Sequence, residues 1–89
     1  MGLEFEVRHE AEAARFIATV DALECQLQYR LDCNTMTITH TWVPPQLSGR
    51  GIAAELTRQA LLTARAQGWQ VAAECSYAQR YLERHPYTV

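Results

Sequence analysis

The hydrophobic period of this sequence changes once, at Pro44-Pro45, and that change limits the chain to strands first and helix-bearing segments after. Before the prolines apolar residues recur at every second position, and after them at helical spacing. Leu3, Phe5 and Val7 alternate with Glu4, Glu6 and Arg8, the pattern of a half-buried first strand. A second strand is predicted over Arg15–Val20. Leu23, Cys25, Leu27, Tyr29 and Leu31 alternate with Glu24, Gln26, Gln28 and Arg30 in a third, the clearest alternation in the chain. Asp32-Cys33-Asn34 reads as a hairpin turn into a fourth strand. There Met36, Ile38, His40 and Trp42 share one face and four threonines the other. The prolines end that strand because they donate no ladder hydrogen bond.

Ile52, Ala53, Leu56, Ala60 and Ala64 then fall on one helical stripe, with Glu55, Arg58, Gln59 and Arg65 elsewhere. Gly68 is placed to cap that helix. The apolar run from Trp69 to Ala73 predicts an interior strand, and Ser76 to His85 a last short helix stopped by Pro86. A helix crossing over between the fourth and fifth strands sets them parallel. The predicted fold is mixed α/β: four mostly antiparallel strands, a helix, a parallel fifth strand and a short C-terminal helix. Eighty-nine residues suit one domain, spanning 1–89.

Between the fourth strand and the long helix lies Val43-Pro44-Pro45-Gln46-Leu47-Ser48-Gly49-Arg50-Gly51-Ile52-Ala53. The first amides of a helix lack intrahelical acceptors and sit at the positive end of its dipole, so this junction suits an anion such as a pyrophosphate. Gly49 and Gly51 let a ligand approach the backbone closely.

Composition excludes several classes. No apolar run approaches the roughly 20 residues that span a bilayer, and the acidic N-terminus lacks signal-peptide character. The expectation is a cytoplasmic protein with no membrane partner. The formal net charge is −2 and the arginines are scattered, which argues against nucleic acid. The chain has no lysine, so a Walker-type phosphate lysine and a Schiff-base lysine are both excluded. Cys25, Cys33 and Cys75 are odd in number and lack metal-site spacing, so neither a disulfide framework nor a metal is expected.

The spacing Gln46-x-x-Gly49-x-Gly51 resembles the acyl-CoA loop of the GNAT superfamily of N-acetyltransferases. The segments His40-Thr41-Trp42-Val43-Pro44 and Cys75-Ser76-Tyr77 to His85-Pro86-Tyr87 resemble a small, single-domain subgroup of that superfamily. The resemblance implies acetyl-CoA as cosubstrate, with main-chain groups from Gly49, Arg50, Gly51, Ile52 and Ala53 around its pyrophosphate and Gln46 opening the turn. Val43 would offer main-chain groups to the pantetheine arm between splayed fourth and fifth strands. It also implies an amine-bearing acceptor, a small molecule or a protein, whose identity the residues leave open along with the oligomeric state. Where larger members insert helices between the first two strands, only Glu10 to Ala14 intervene here.

The usual acid and base of the superfamily are missing by this resemblance. The strand-four carboxylate position holds Trp42, and the last-helix tyrosine position holds Leu82, with Tyr81 one residue earlier. Cys75, between the fifth strand and a helix whose amides lower a thiol pKa, reads either as a catalytic thiol or as a small buried residue. His40 reads either as a base for the amine or as a hydrogen-bonded core histidine. The function implied is acetyl transfer to a primary amine, the alternative a CoA-binding or interaction module without turnover.

Overall fold

Tight turns order the antiparallel part of the sheet. The computed structural model describes residues 5–84. Its first strand, β1, is Val7–Glu10 and pairs with β2, Arg15–Val20. The alternation starting at Leu3 therefore runs later than expected: Leu3 lies outside the described residues, and Phe5 and Glu6 precede the strand. Phe5 and Val7 still pack on the core, so the faces follow the pattern and only the pairing begins later. A single 3-10 turn, Ala11–Ala13, and a left-handed Ala14 complete the first reversal.

Asp21 and Ala22 both have positive φ, as a two-residue hairpin of the favoured twist requires, and lead into β3, Leu23–Asp32. Cys33 and Asn34 repeat that geometry before β4, Thr35–Trp42. The long helix α1, Ile52–Gln67, ends in a Schellman cap. There the Gly68 amide donates to Arg65 at 3.2 Å and the Trp69 amide to Ala64 at 2.8 Å. Gly68, at φ 75°, adopts the left-handed conformation that this cap demands. The chain then enters β5, Gln70–Ala73, parallel to β4, and closes with α2, Ser76–Arg84. His85 and Pro86, expected to end that helix, lie outside the described residues.

Strand order is β1-β2-β3-β4-β5, so β5 is an edge strand among the described residues rather than the interior strand its apolar run suggested. Val71 and Ala73 face the core while Gln70 and Ala72 are exposed, which satisfies a one-sided edge. Ile52, Leu56, Ala60 and Ala64 of α1 and Ala78 of α2 join Phe16, Leu27, Met36 and Ile38 in one cluster. Both helices therefore cover the same sheet face.

One irregularity redirects the end of β4. Tyr29 pairs with Ile38 and the adjacent Gln28 with His40, which leaves Thr39 as an extra, bulged residue. The bulge reverses the alternation. Met36 and Ile38 are buried beneath the helices, but His40 and Trp42 are exposed on the opposite face, against Gln28 and Gln26. The expected stripe of Met36, Ile38, His40 and Trp42 is thus broken at its midpoint, and Thr41 turns inward opposite Leu27.

Near the α1 C-terminus, His9 stacks on Phe16 with ring centroids 4.3 Å apart and planes 5° apart, and its Nε2 is 2.7 Å from the Tyr29 hydroxyl. Burial in that stack lowers the His9 pKa below its ordinary 6.5. The unfolded chain then binds the proton more readily, so this contribution is complete above the ordinary value and declines as pH falls through it. The melting temperature is expected to drop between about pH 8 and about pH 5, and less steeply in His9→Phe. Equal slopes in thermal melts of the two proteins would reject the assignment.

Candidate functional site

The loop between β4 and α1 begins with a 3-10 turn, Pro45–Leu47, whose Leu47 is buried and anchors the loop to the core. Ser48 is extended, and Gly49 and Gly51 have φ of 83° and 81°, a region costly for any residue bearing Cβ. A Cβ built at either glycine meets nothing within 4 Å. The glycines are therefore required by backbone conformation and leave the space before them open, since no internal packing demands them.

Gly51 is the N-cap of α1 and supplies no side-chain acceptor. The first main-chain bond of the helix runs from the Glu55 amide to the Gly51 carbonyl, at 3.0 Å. The amides of Ile52, Ala53 and Ala54 precede it and lack intrahelical acceptors. These residues, with Val43, Gly49 and Gly51, line a cavity of about 360 Å³ that Leu47, Ser48 and Tyr77 complete. The cavity thus borders the first residues of a 16-residue helix, whose amides lack intrahelical acceptors and lie at its positive end.

β4 and β5 part company just before this cavity. Their pairing ends at Ile38 and Ala73, where the Ile38 carbonyl accepts from both Glu74, at 2.9 Å, and Cys75, at 3.2 Å. Beyond the bulge, β4 continues to Trp42 paired with β3 and without β5.

Cys75 sits at that divergence as the residue preceding α2. Its carbonyl accepts from the Gln79 amide at 3.0 Å, and its Sγ lies 3.7 Å from Thr41 Oγ1. Burial pushes the thiol pKa up, but hydrogen bonds from the Ala78 amide, the Thr41 hydroxyl, the Tyr77 amide and the Thr41 main chain outweigh it. The net effect holds Cys75 below the ordinary thiol value, as expected at a helix N-terminus. When Cys75 is protonated its S–H donates to Thr41, and when it is ionised the Thr41 O–H turns to donate. Cys25 shows the opposite environment: it is fully buried, and burial with the Glu24 charge raises its pKa.

Among the residues singled out from sequence, the structure brings Val43, Gly49, Gly51, Ile52 and Ala53 together around one cavity. Thr41, which touches Cys75, is two residues before Val43, about 7 Å along an extended chain. Gln46 is exposed in the 3-10 turn and Arg50 turns aside to pair with Asp21 at 3.1 Å; neither lines the cavity. His40 faces the opposite side of the sheet, because the Thr39 bulge rotates it away from the apolar stripe. Sequence reading missed Thr41 as a partner of the thiol. The available signal was the polar His40 within an otherwise apolar alternation.

The family profile described as GCN5-related N-acetyl-transferase matches residues 15–89. No curated protein sequence matches the chain. Among solved structures, the NMR solution structure of a GCN5-like candidate N-acetyltransferase from Staphylococcus aureus is 29% identical. The similarity covers 93% of this chain and 82% of that one, with a TM-score of 0.74. With a mixed five-stranded sheet, a glycine loop opening the crossover helix and a profile match over most of its length, this chain belongs to the GCN5-related N-acetyltransferase family of acyltransferases.

Proposed function

We propose that this protein binds acetyl-CoA and transfers the acetyl group to a primary amine. The observation that carries the reading is a cavity lined by Ile52, Ala53 and Ala54, whose amides have no intrahelical acceptors, and by glycine positions that are open. That donor set fits a pyrophosphate, because oriented amides and a helix dipole bind anions without a lysine. Main-chain groups near Val43 suit the amide-bearing pantetheine arm, since β4 beyond Ile38 has no β5 partner to occupy them.

Bound acetyl-CoA would supply an activated thioester carbonyl. Gly49 to Ala53 would hold and orient it, and Cys75 is the nucleophilic or proton-carrying group assigned to the reaction. The amides of Ala78 and Tyr77 with the Thr41 hydroxyl favour the thiolate, the form required either to accept an acyl group or to accept the proton of an amine. Peptide mass mapping after incubation with acetyl-CoA separates the two roles, because no lysine side chain competes for acetylation. An adduct on Cys75 establishes the covalent route, and its absence leaves the proton-transfer role.

The reading is tested by calorimetric titration of acetyl-CoA into the wild type, Gly51→Val and Gly68→Val. Both substitutions place a branched side chain at positive φ with no protein atom within 4 Å of its Cβ, so both strain the backbone similarly. Only Gly51 lines the cavity. Saturable binding is expected in the wild type and Gly68→Val, with a loss of about 100-fold or more in Gly51→Val from a displaced ligand. A folded wild type that takes up no acetyl-CoA would sink the proposal.

A further inference from the structure

We propose that the acetyl acceptor is an aliphatic diamine, one ammonium group of which is held between the Trp42 indole and the Glu24 carboxylate while its other amine reacts. This rests on the acetyl-transfer reading above and names the class of acceptor that the glycine loop leaves open. Trp42 is 46% exposed, on the sheet face that neither α1 nor α2 covers. Among the described residues no ring or cation stacks on it. It stands opposite Gln26, which puts the exposed Glu24 diagonally across the strand pair. Such diagonal neighbours are about 7–8 Å apart, within reach of a long side chain.

The charge on this face singles out Glu24. Arg15 pairs with Glu10 at 2.7 Å and Arg30 with Glu74 at 2.9 Å, so those four charges cancel. Glu24 has no cation within 4.0 Å among the described residues. Arg8 lies on the same face, in the row Arg8, Ile17, Gln26, Trp42, but three strands from Trp42, about 14 Å at the usual strand spacing. A ring face beside an uncompensated carboxylate attracts an organic cation, through the ring quadrupole and through direct charge.

Position connects this site to the chemistry. Pairing of β4 with β5 ends at Ile38 and Ala73, so β4 from Thr39 to Trp42 has an open edge on that side. Thr41 meets Cys75 on one face of that edge, and Trp42 rises from the other face one residue along. A molecule held on Trp42 therefore needs only a short chain to reach around the edge to the thiol. An ammonium has no lone pair with which to attack a thioester, so the group that reacts is a neutral amine and the group held on Trp42 is a second one. The reacting amine forms the N–C bond as the thioester C–S bond breaks, and its surplus proton goes to the departing thiolate. The held ammonium keeps its charge throughout.

The cation site is read by Trp42 fluorescence in a Trp69→Phe variant, which leaves Trp42 as the single indole. Butyltrimethylammonium, a cation with no N–H to acetylate, is the probe and needs no acetyl-CoA. A saturable change is expected, weakened about fivefold by Glu24→Gln and reversed by hexamethylenediamine. If Trp69→Phe does not fold, the difference between wild type and Trp42→Phe supplies the same signal. With acetyl-CoA present, hexylamine has one nitrogen and cannot be held and react at once, so its kcat/KM is expected to be about tenfold below that of hexamethylenediamine. Trp42→Leu should remove that difference and Trp42→Phe keep part of it. No saturable fluorescence change, or one that Glu24→Gln leaves unaltered, overturns the cation site. Equal kcat/KM for the two amines, or no turnover of either, overturns the diamine assignment. Calorimetry measures acetyl-CoA binding separately, so these outcomes leave the cosubstrate reading intact. A folded wild type that takes up no acetyl-CoA overturns that reading and the acceptor role together.

Discussion

Replacing Cys75 with Ala is expected to lower kcat by about 100-fold or more, the usual contribution of a positioned proton-transfer or nucleophilic group. Acetyl-CoA affinity should not change, because the cavity is lined by the loop, the start of α1 and Tyr77 without the thiol. Steady-state kinetics with an amine acceptor and calorimetry on the same preparation check the two halves separately. Thr41→Val refines the test. It removes the hydroxyl 3.7 Å from Sγ, one of the groups that hold the Cys75 pKa down, so the thiol pKa should rise. The rate profile then shifts to higher pH, with activity recovered in alkali. A Cys75→Ala enzyme with undiminished turnover would remove the thiol from the mechanism and make Thr41 a packing residue.

Leu56→Ala is expected to cost about 2 to 5 kcal/mol of folding stability, the range for emptying a filled core site. Leu56 is 0% exposed on the stripe of α1 that packs against the sheet, where Ile52, Ala60 and Ala64 flank it. For a chain of this size each kcal/mol corresponds to roughly 4–8 °C in melting temperature. A domain this small has only about 5 to 15 kcal/mol in all, so the variant should be visibly destabilised in thermal and urea unfolding. Leu62→Ala is the control. Leu62 is 42% exposed on the same helix, and its loss should stay within about 0.5 kcal/mol. Equal destabilisation by the two would mean that α1 does not bury the face described here.

These expectations draw on different amounts of sequence information. The α1 stripe was readable because a helix repeats its buried face over several turns, and Ile52, Leu56, Ala60 and Ala64 all carry that repeat. Gly68 announced its cap, since few other residues adopt the left-handed conformation it needs. The limits of β2 were read correctly at Arg15 and Val20, while β1 began later than its alternation suggested. Alternation reports which face a residue occupies, but strand pairing also needs a partner. Val7, where β1 begins, pairs with Ala18, close to the end of β2 at Val20, so residues before Val7 run out of partner.

For the site, the loop was legible and the catalytic surroundings were not. Gly49 and Gly51 stand next to one another in the chain and next to the helix they serve, so local order already specified a strand, a turn and unpaired amides. Gln46 and Arg50 have equal local claims, yet neither lines the cavity: Gln46 is exposed in the 3-10 turn and Arg50 pairs with Asp21.

What the sequence determined by itself was the order of elements, the parallel crossover and the glycine junction that opens α1, because each rests on the chemistry of residues within a few positions of one another. Only the tertiary structure decided that His40 leaves the helix-covered face while Thr41 meets Cys75, 34 positions later in the chain. A single bulged residue, Thr39, shifts the β3–β4 register, and with a side-chain period of two that shift exchanges the faces of every residue beyond it.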